Sequence, residues 1–155
     1  MDYMYRKATL EDMKLLVASR VEILRAANGL PADTDMSKVE RESYAYYQKA
    51  LADGSCVCYL AFDGECLVGA GGVSFYQVMP TYYTPTGQKA YIMNMYTSPA
   101  YRRQGIAYHI LDLLIEEIRH RGVVYIALEA TDMGRPLYEK YGFVKMEHEM
   151  RLYPS

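Results

Sequence analysis

The residues Tyr101-Arg102-Arg103-Gln104-Gly105-Ile106-Ala107 constrain this chain more than any other stretch. An apolar run, Ala90 to Thr97, precedes them and stops at Ser98-Pro99. An amphipathic pattern follows, with Ala107, Ile110, Leu111, Leu114, Ile115 and Ile118 on one stripe and Asp112, Glu116 and Glu117 off it. The order is strand, tight turn, helix, with a glycine and a small residue at the helix entry. Such a turn leaves the first backbone N–H groups of the helix without carbonyl partners, and the helix dipole adds partial positive charge there. With Arg102 and Arg103 beside it, the stretch reads as an anion site suited to phosphate.

The remaining elements can be placed around this unit. Tyr3 to Ala8 reads as a first strand. Thr9-Leu10-Glu11-Asp12 opens a helix with Thr9 as N-cap in a capping-box-like start. Leu10, Met13, Leu16, Val17, Val21 and Leu24 then recur at helical spacing, and Asn28-Gly29 ends the helix. Ser37 and Glu40 form a second capping box, for a helix to about Ala52. Its Tyr44, Tyr46 and Tyr47 either pack or contribute one ring to a substrate cleft. Asp63-Gly64 is a two-residue turn signal joining the runs Cys56–Phe62 and Glu65–Tyr76, which faces Phe62 with Glu65. Gly69-Ala70-Gly71-Gly72 has no helix after it, so a bulge or close backbone approach is a better reading than a phosphate cradle. The loop Gln77–Lys89 is long enough to wall or cover a cleft.

Beyond the central helix, His120 and Arg121 suit a C-terminus and Gly122 its C′ position. Val123 to Leu128 reads as a buried strand, and Pro136 opens a short helix ending at Tyr141-Gly142. In the last segment Val144, Met146, His148, Met150 and Leu152 alternate with Lys145, Glu147, Glu149 and Arg151, the pattern of a final strand. No linker, repeat or low-complexity stretch divides residues 1–155, so one domain is expected.

Charge and cysteine content narrow the function. The formal net charge is −2, which argues against a dedicated nucleic-acid binder. No apolar run is long enough to span a bilayer, and Met1 to Lys7 lack the apolar core of a secretion signal, so the expected location is the cytoplasm. Three cysteines without a signal suggest reduced thiols. In the hairpin register Cys56 and Cys58 share one face and Cys66 takes the other. With no fourth ligand nearby, that argues against a metal site.

Two linked signatures carry a resemblance. Arg102-x-x-Gly105-x-Ala107 lies between a strand and a helix, and Leu137-Tyr138-Glu139-Lys140-Tyr141-Gly142-Phe143 follows one strand later. Together they resemble the GCN5-related N-acetyltransferases, the GNAT superfamily, and the order of elements is similar across essentially the whole chain. The resemblance implies an α+β, three-layer fold: a mixed, mostly antiparallel sheet of about six or seven strands, flanked by about four helices and splayed at its central strands. It implies acetyl-CoA as co-substrate, no metal, and an amine acceptor belonging to a small molecule or peptide. It gives no nucleic-acid or membrane partner and leaves room for a homodimer. The pyrophosphate would meet Arg102, Arg103, Gln104, Gly105, Ile106, Ala107 and Tyr108, mainly through backbone N–H groups, with arginine side chains adding charge. The pantetheine arm would pair with Met95, Tyr96 and Thr97 like an added strand. Where the family often has asparagine and alanine, seven and four residues before the tyrosine, this chain has Thr131 and Gly134. Thr131 retains the capacity to hydrogen-bond.

Acyl transfer from a thioester to an amine needs a neutral amine, donors for the developing oxyanion and a partner for the leaving thiolate. A backbone N–H near Met95 or Tyr96 suits the oxyanion. The resemblance puts Tyr138 at the thiolate as general acid; the alternative is an ordinary packed tyrosine. Tyrosine titrates near 10 and a thiol near 8.5, so full proton transfer is uphill by about 2 kcal/mol in water. Tyr138 is therefore expected to act mostly by hydrogen bonding. Asn94, a polar residue in an apolar strand, faces opposite to Met95 and could orient an acceptor. Glu129, at a strand end, is a candidate base. His109 lies on the polar side of its helix, and His148 on the apolar face of the last strand reads as a core histidine. No cysteine falls near the motif residues, so direct transfer in a ternary complex is expected. The rival is an acyl-CoA-binding sensor or partner module without turnover.

Overall fold

The computed structural model describes residues 2–154. Among them, five strands form one sheet in the order β1-β2-β3-β4-β5: β1 (Met4–Lys7), β2 (Cys56–Asp63), β3 (Cys66–Gln77), β4 (Gln88–Thr97) and β5 (Tyr125–Leu128). Four α-helices accompany them: α1 (Met13–Ala27), α2 (Ser37–Asp53), α3 (Ile106–His120) and α4 (Arg135–Tyr141). The first four strands pair antiparallel. β5 pairs parallel with β4, as it must when a helix, α3, carries the chain back across the sheet.

The alternation along β2 builds the three layers. Cys56, Cys58, Leu60 and Phe62 pack with Leu16 and Val17 of α1 and with Tyr47 and Ala50 of α2. Val57 and Ala61 face the other way, onto Ile110, Leu111 and Leu114 of α3. The apolar stripe of α3 is fully buried, with Ile110, Leu111, Leu114 and Ile118 at 0% exposure. Gly69 and Gly71 of β3 admit this helix. A Cβ at Gly69 would lie 2.6 Å from Ile106 Cγ2, and one at Gly71 would lie 2.5 Å from Met95 Sδ and 2.8 Å from Ile110 Cγ2. The glycine run is thus a close approach, with a bulge between Ala70 and Gly72, as its sequence suggests.

The capping box at Thr9 forms. Thr9 N–H donates to Asp12 Oδ2 at 2.7 Å, and Thr9 Oγ1 accepts from Glu11 N–H at 3.3 Å. Arg6 adds two hydrogen bonds of 2.8 Å to the Asp12 carboxylate, tying β1 to this corner. The Arg6 bonds also hold Asp12 below the usual carboxylate range. The expected box at Ser37 does not form. Met36 is the N-cap, and the carboxylate of Asp35 accepts the Ser37 N–H at 2.9 Å, so Ser37 becomes the first helical residue.

Three further expectations are corrected. The hairpin turn is Gly64-Glu65, with Asp63 facing Cys66 and Phe62 facing Leu67, one position later than Asp63-Gly64. Gly64 sits at φ 61°, the left-handed backbone the turn needs. The change moves the partners of Phe62 and Asp63 by two residues, and a bulge beyond Ala61 adds one more on β3; the alternation along β2 is unbroken, so Cys66, opposite Asp63, is exposed on the side away from Cys56 and Cys58. The final strand is absent and the sheet has five strands, not six or seven. Val144 to Tyr153 run as exposed, irregular chain, with Met150 and Leu152 each 96% exposed and His148 in solvent, not in the core. Alternation specifies which face a strand would bury, but a strand forms only where an edge supplies hydrogen bonds, and here the outer edge of β5 does not pair with it. Among the described residues, no helix is long and apolar enough to cross a membrane.

Candidate active site

β4 is held differently along its two halves. From Lys89 to Ile92 it pairs with β5, and the ladder ends at Ile92 facing Leu128. On its other side, pairing with β3 continues to Thr97 facing Gly69. Met93 to Thr97 therefore leave one backbone edge open, where β4 and β5 part. This is the splay that the family resemblance implies. Within it Asn94 adopts φ 61°, and the register against β3 slips opposite Gly71. The bulge puts the consecutive side chains of Met93 and Asn94 on one face, where an unbroken strand would alternate them. Met95 packs toward α3, while Asn94 faces α1.

The open edge leads into the turn before α3. Pro99–Tyr101 forms a short 3-10 turn, and Arg103 and Gly105 both take left-handed backbone, at φ 63° and 81°. The first helical N–H bonded back is that of His109, to Gly105 O at 3.0 Å. Among the described residues, the N–H groups of Arg103 to Tyr108 have no protein acceptor. Ile106 is buried, and its side chain fixes the helix start against Gly69. The Tyr101 hydroxyl donates to Asp63 Oδ2 at 2.7 Å, and the Tyr3 hydroxyl donates to Gln104, so the turn is anchored from both neighbours. Arg102, Arg103, Gln104, Gly105 and Tyr108 are exposed. A line of unpaired donors at a helix start, flanked by two arginines, can receive a multiply charged anion.

Across the notch, a cavity of about 680 Å³ runs beside β5 and is lined by Leu128, Glu129, Ala130 and Tyr138, among others. Tyr138 is only 8% exposed, and burial raises its hydroxyl above the ordinary tyrosine value. Among the described residues the hydroxyl has no side-chain hydrogen-bond partner, and the ring sits edge-on to Phe143 at 6.0 Å. α4 is fixed to α3 by the Tyr141 hydroxyl, which donates to Asp112 Oδ1 at 2.7 Å. Glu129 is exposed at the rim, where its charge acts on Tyr91. Thr131 is engaged locally: its Oγ1 accepts from Gly134 N–H at 3.1 Å and its carbonyl from Arg135 N–H at 2.9 Å, shaping the start of α4. His109 is exposed and stacks on Tyr5 at 3.9 Å.

A second cavity, of about 500 Å³, opens on the other face of β4, between the sheet and helices α1 and α2. Asn94 lines it with Arg20, Tyr46, Tyr47, Met93 and Ser74. Arg20 Nη1 donates to Asn94 Oδ1 at 3.3 Å, and the Tyr46 hydroxyl is 2.6 Å from Ser74 Oγ. Burial pushes the Tyr46 hydroxyl up to about 12, against the lowering effect of Ser74. Cys56 and Cys58 sit at the floor with their sulfurs 3.7 Å apart. Residues of the loop 78–87 do not line this cavity; Met79, Tyr82 and Tyr83 instead stand in solvent. Of the three α2 tyrosines, Tyr46 and Tyr47 reach the cleft and Tyr44 does not. Arg20 escaped the sequence reading. The signal was its position, midway between Leu16 and Leu24 on the apolar stripe, where a charge is out of place.

Comparison with known proteins places these features. The model of the acetyltransferase (GNAT) family matches residues 22–143. A predicted acetyltransferase from Clostridium acetobutylicum, crystallised with acetyl-CoA, is 35% identical and superposes with a TM-score of 0.90 over 98% of this chain and 96% of its own. A GCN5-related N-acetyltransferase from Ralstonia eutropha JMP134 is 25% identical, with a TM-score of 0.86 over 98% and 99%. The uncharacterized N-acetyltransferase YjgM of Escherichia coli (strain K12) is 26% identical over 151 residues, covering 94% of this chain and 84% of that protein. The open edge of β4, the donor-rich turn and the buried tyrosine across the notch lie within or beside the matched span, and the chain belongs to the GNAT family of acetyltransferases.

Proposed function

We propose that the protein transfers an acetyl group from acetyl-CoA directly to an amine, using the notch between β4 and β5 for the cofactor arm. The observation that carries this reading is the continuity of β4. Its edge is free from Met93 to Thr97 and runs straight into the unbonded N–H groups of residues 103–108. An extended amide-bearing arm ending in a pyrophosphate matches that sequence of acceptors and donors in length order.

In this reading Gly105, Ile106, Ala107 and their neighbours bind the pyrophosphate through backbone N–H groups, while Arg102 and Arg103 add charge. Met95, Tyr96 and Thr97 pair with the arm. Acetyl-CoA supplies the thioester. A backbone N–H at Met95 or Tyr96 steadies charge on the acetyl oxygen. Tyr138, kept protonated by its burial, donates a hydrogen bond to the departing sulfur. Its raised value makes complete proton transfer still less favourable than in water, so hydrogen bonding is its main contribution. Asn94 faces the acceptor side. No cysteine lines the cavity beside Tyr138, which supports transfer without an acetyl-enzyme.

Initial rates of thiol release, measured against acetyl-CoA at several amine concentrations, test this. Intersecting double-reciprocal lines are expected for a ternary complex. Parallel lines would point to an acetyl-enzyme and overturn the direct route.

A further inference from the structure

The cavity between α1, α2 and the sheet holds a cation that no carboxylate pairs with among the described residues. Arg20 is half-buried there, and its guanidinium bonds only to the neutral amide of Asn94. Among the described residues, no carboxylate forms an ion pair with it. Beside Leu24, Tyr47 and Met93, an arginine loses hydration that one amide contact of 3.3 Å does not replace. Lys38 and Glu42 stand exposed on the rim, one helical turn apart and opposite in sign, so they offset one another and leave Arg20 as the uncompensated charge. The rest of the lining is mostly apolar, from Leu24, Val39, Tyr46, Tyr47, Val73 and Met93.

We propose that the acceptor is an α-amino acid with a neutral, largely apolar side chain: Arg20 takes its carboxylate and the cavity takes its side chain. The proposal rests on the acetyl-transfer reading for the identity of the reacting group. The spacing argues for the α position. Arg20 touches Asn94, which lies within the open edge of β4 that runs from Met93 and would receive the thioester arm. The carboxylate and the reacting nitrogen are therefore held within a few bonds of each other. The nitrogen lone pair forms the N–C bond to the acetyl carbon, and the C–S bond breaks. The sulfur leaves with that electron pair and is protonated as CoA thiol, and the amine gives up its proton to solvent.

The test uses the whole chain, acetyl-CoA and three L-amino acids, methionine, leucine and phenylalanine, each beside its decarboxylated amine. A carboxylate on a guanidinium is a charge-assisted contact, so kcat/KM should favour the amino acid by about tenfold to a hundredfold. Arg20→Gln should collapse that ratio toward one, and Arg20→Lys should restore part of it; retained CoA affinity certifies that each variant is folded. Equal kcat/KM with and without the carboxylate would overturn the proposal, as would an Arg20→Gln variant that keeps the ratio. Calorimetric titration of the amino acids into CoA-saturated protein separates the two readings. Binding that depends on both the carboxylate and Arg20, without thiol release, sinks acetyl transfer and leaves the cavity assignment standing. Absence of binding and of turnover with every amino acid sinks the assignment itself.

Discussion

Asn94 and Met95 are consecutive residues whose side chains leave β4 on opposite faces of the sheet. Asn94 accepts from Arg20 on the α1 side, and Met95 reaches Gly71 and the α3 side. The bulge sets Asn94 beside Met93 on the α1 side and falls just past Ile92, where pairing with β5 ends, so the cavity under α1 and the open edge of β4 meet at one local irregularity.

Gly71 gives this arrangement a stability test. An added Cβ would meet Met95 Sδ at 2.5 Å and Ile110 Cγ2 at 2.8 Å. Gly71→Ala should therefore destabilise the fold by about 1–3 kcal/mol, as overpacking does. Thermal unfolding should show a fall in Tm of several degrees, on the scale of about 2–4 °C per kcal/mol for a chain of this size. An unchanged Tm would mean that β3 and α3 are not in such close contact.

Tyr138→Phe tests the thiolate partner. The loss of one hydrogen bond to a charged leaving group should lower kcat by about tenfold to a hundredfold. KM for acetyl-CoA should rise much less, because the hydroxyl acts at the sulfur as it departs. Steady-state kinetics with any accepted amine reads this split. An unchanged kcat removes Tyr138 from its role and leaves it a packed core tyrosine.

Much of this geometry was legible before the fold was seen. The stripe from Ala107 to Ile118 and the Thr9 cap follow from local pattern, because each depends on neighbours in sequence; the glycine run marked a close approach, but its partners Ile106, Ile110 and Met95 lie far along the chain. Cys66 could be placed opposite Cys56 and Cys58 even with the turn one residue out, since face parity depends only on odd or even spacing. Ser37 was misread because Asp35, two residues earlier, took its N–H first. The segment from Val144 to Leu152 has a strand's alternation but no paired edge, and alternation alone does not supply hydrogen bonds. Arg20 and Asn94 are 74 positions apart, and only the packing of α1 over the bulge brings them together.

Alkaline pH should weaken the fold through tyrosines whose hydroxyls ionise late in the folded chain. Tyr141 is pushed up to about 12, by burial first and then by its bond to Asp112. Tyr46 reaches about 12, and burial alone raises Tyr138. Unfolded tyrosines titrate near 10. Between those values the folded chain holds more protons than the unfolded one, so stability falls as pH rises. This contribution is complete below about pH 10 and is lost progressively toward about pH 12. Thermal melts should show Tm dropping across that window, and a Tm flat through it contradicts the raised titration of these hydroxyls.

Gly105→Glu tests the turn. The new carboxylate would stand where the N–H groups of residues 103–108 converge, repelling an anion, on a backbone at φ 81° that a bulky side chain resists. Calorimetry should show no measurable CoA binding. Gly105→Asn, which tolerates left-handed backbone, should keep part of the affinity. Unimpaired binding by the glutamate variant would displace the pyrophosphate from this turn.

In the proposed reaction acetyl passes from CoA to an amine without resting on the protein. The most direct measurement incubates the protein with acetyl-CoA and a broad amine panel, then quantifies free CoA thiol and N-acetylated acceptor together. Equal amounts of the two, with no acetylated protein, are expected for at least one amine. Tight CoA binding with no amine-stimulated thiol release would contradict transfer and leave a binding module.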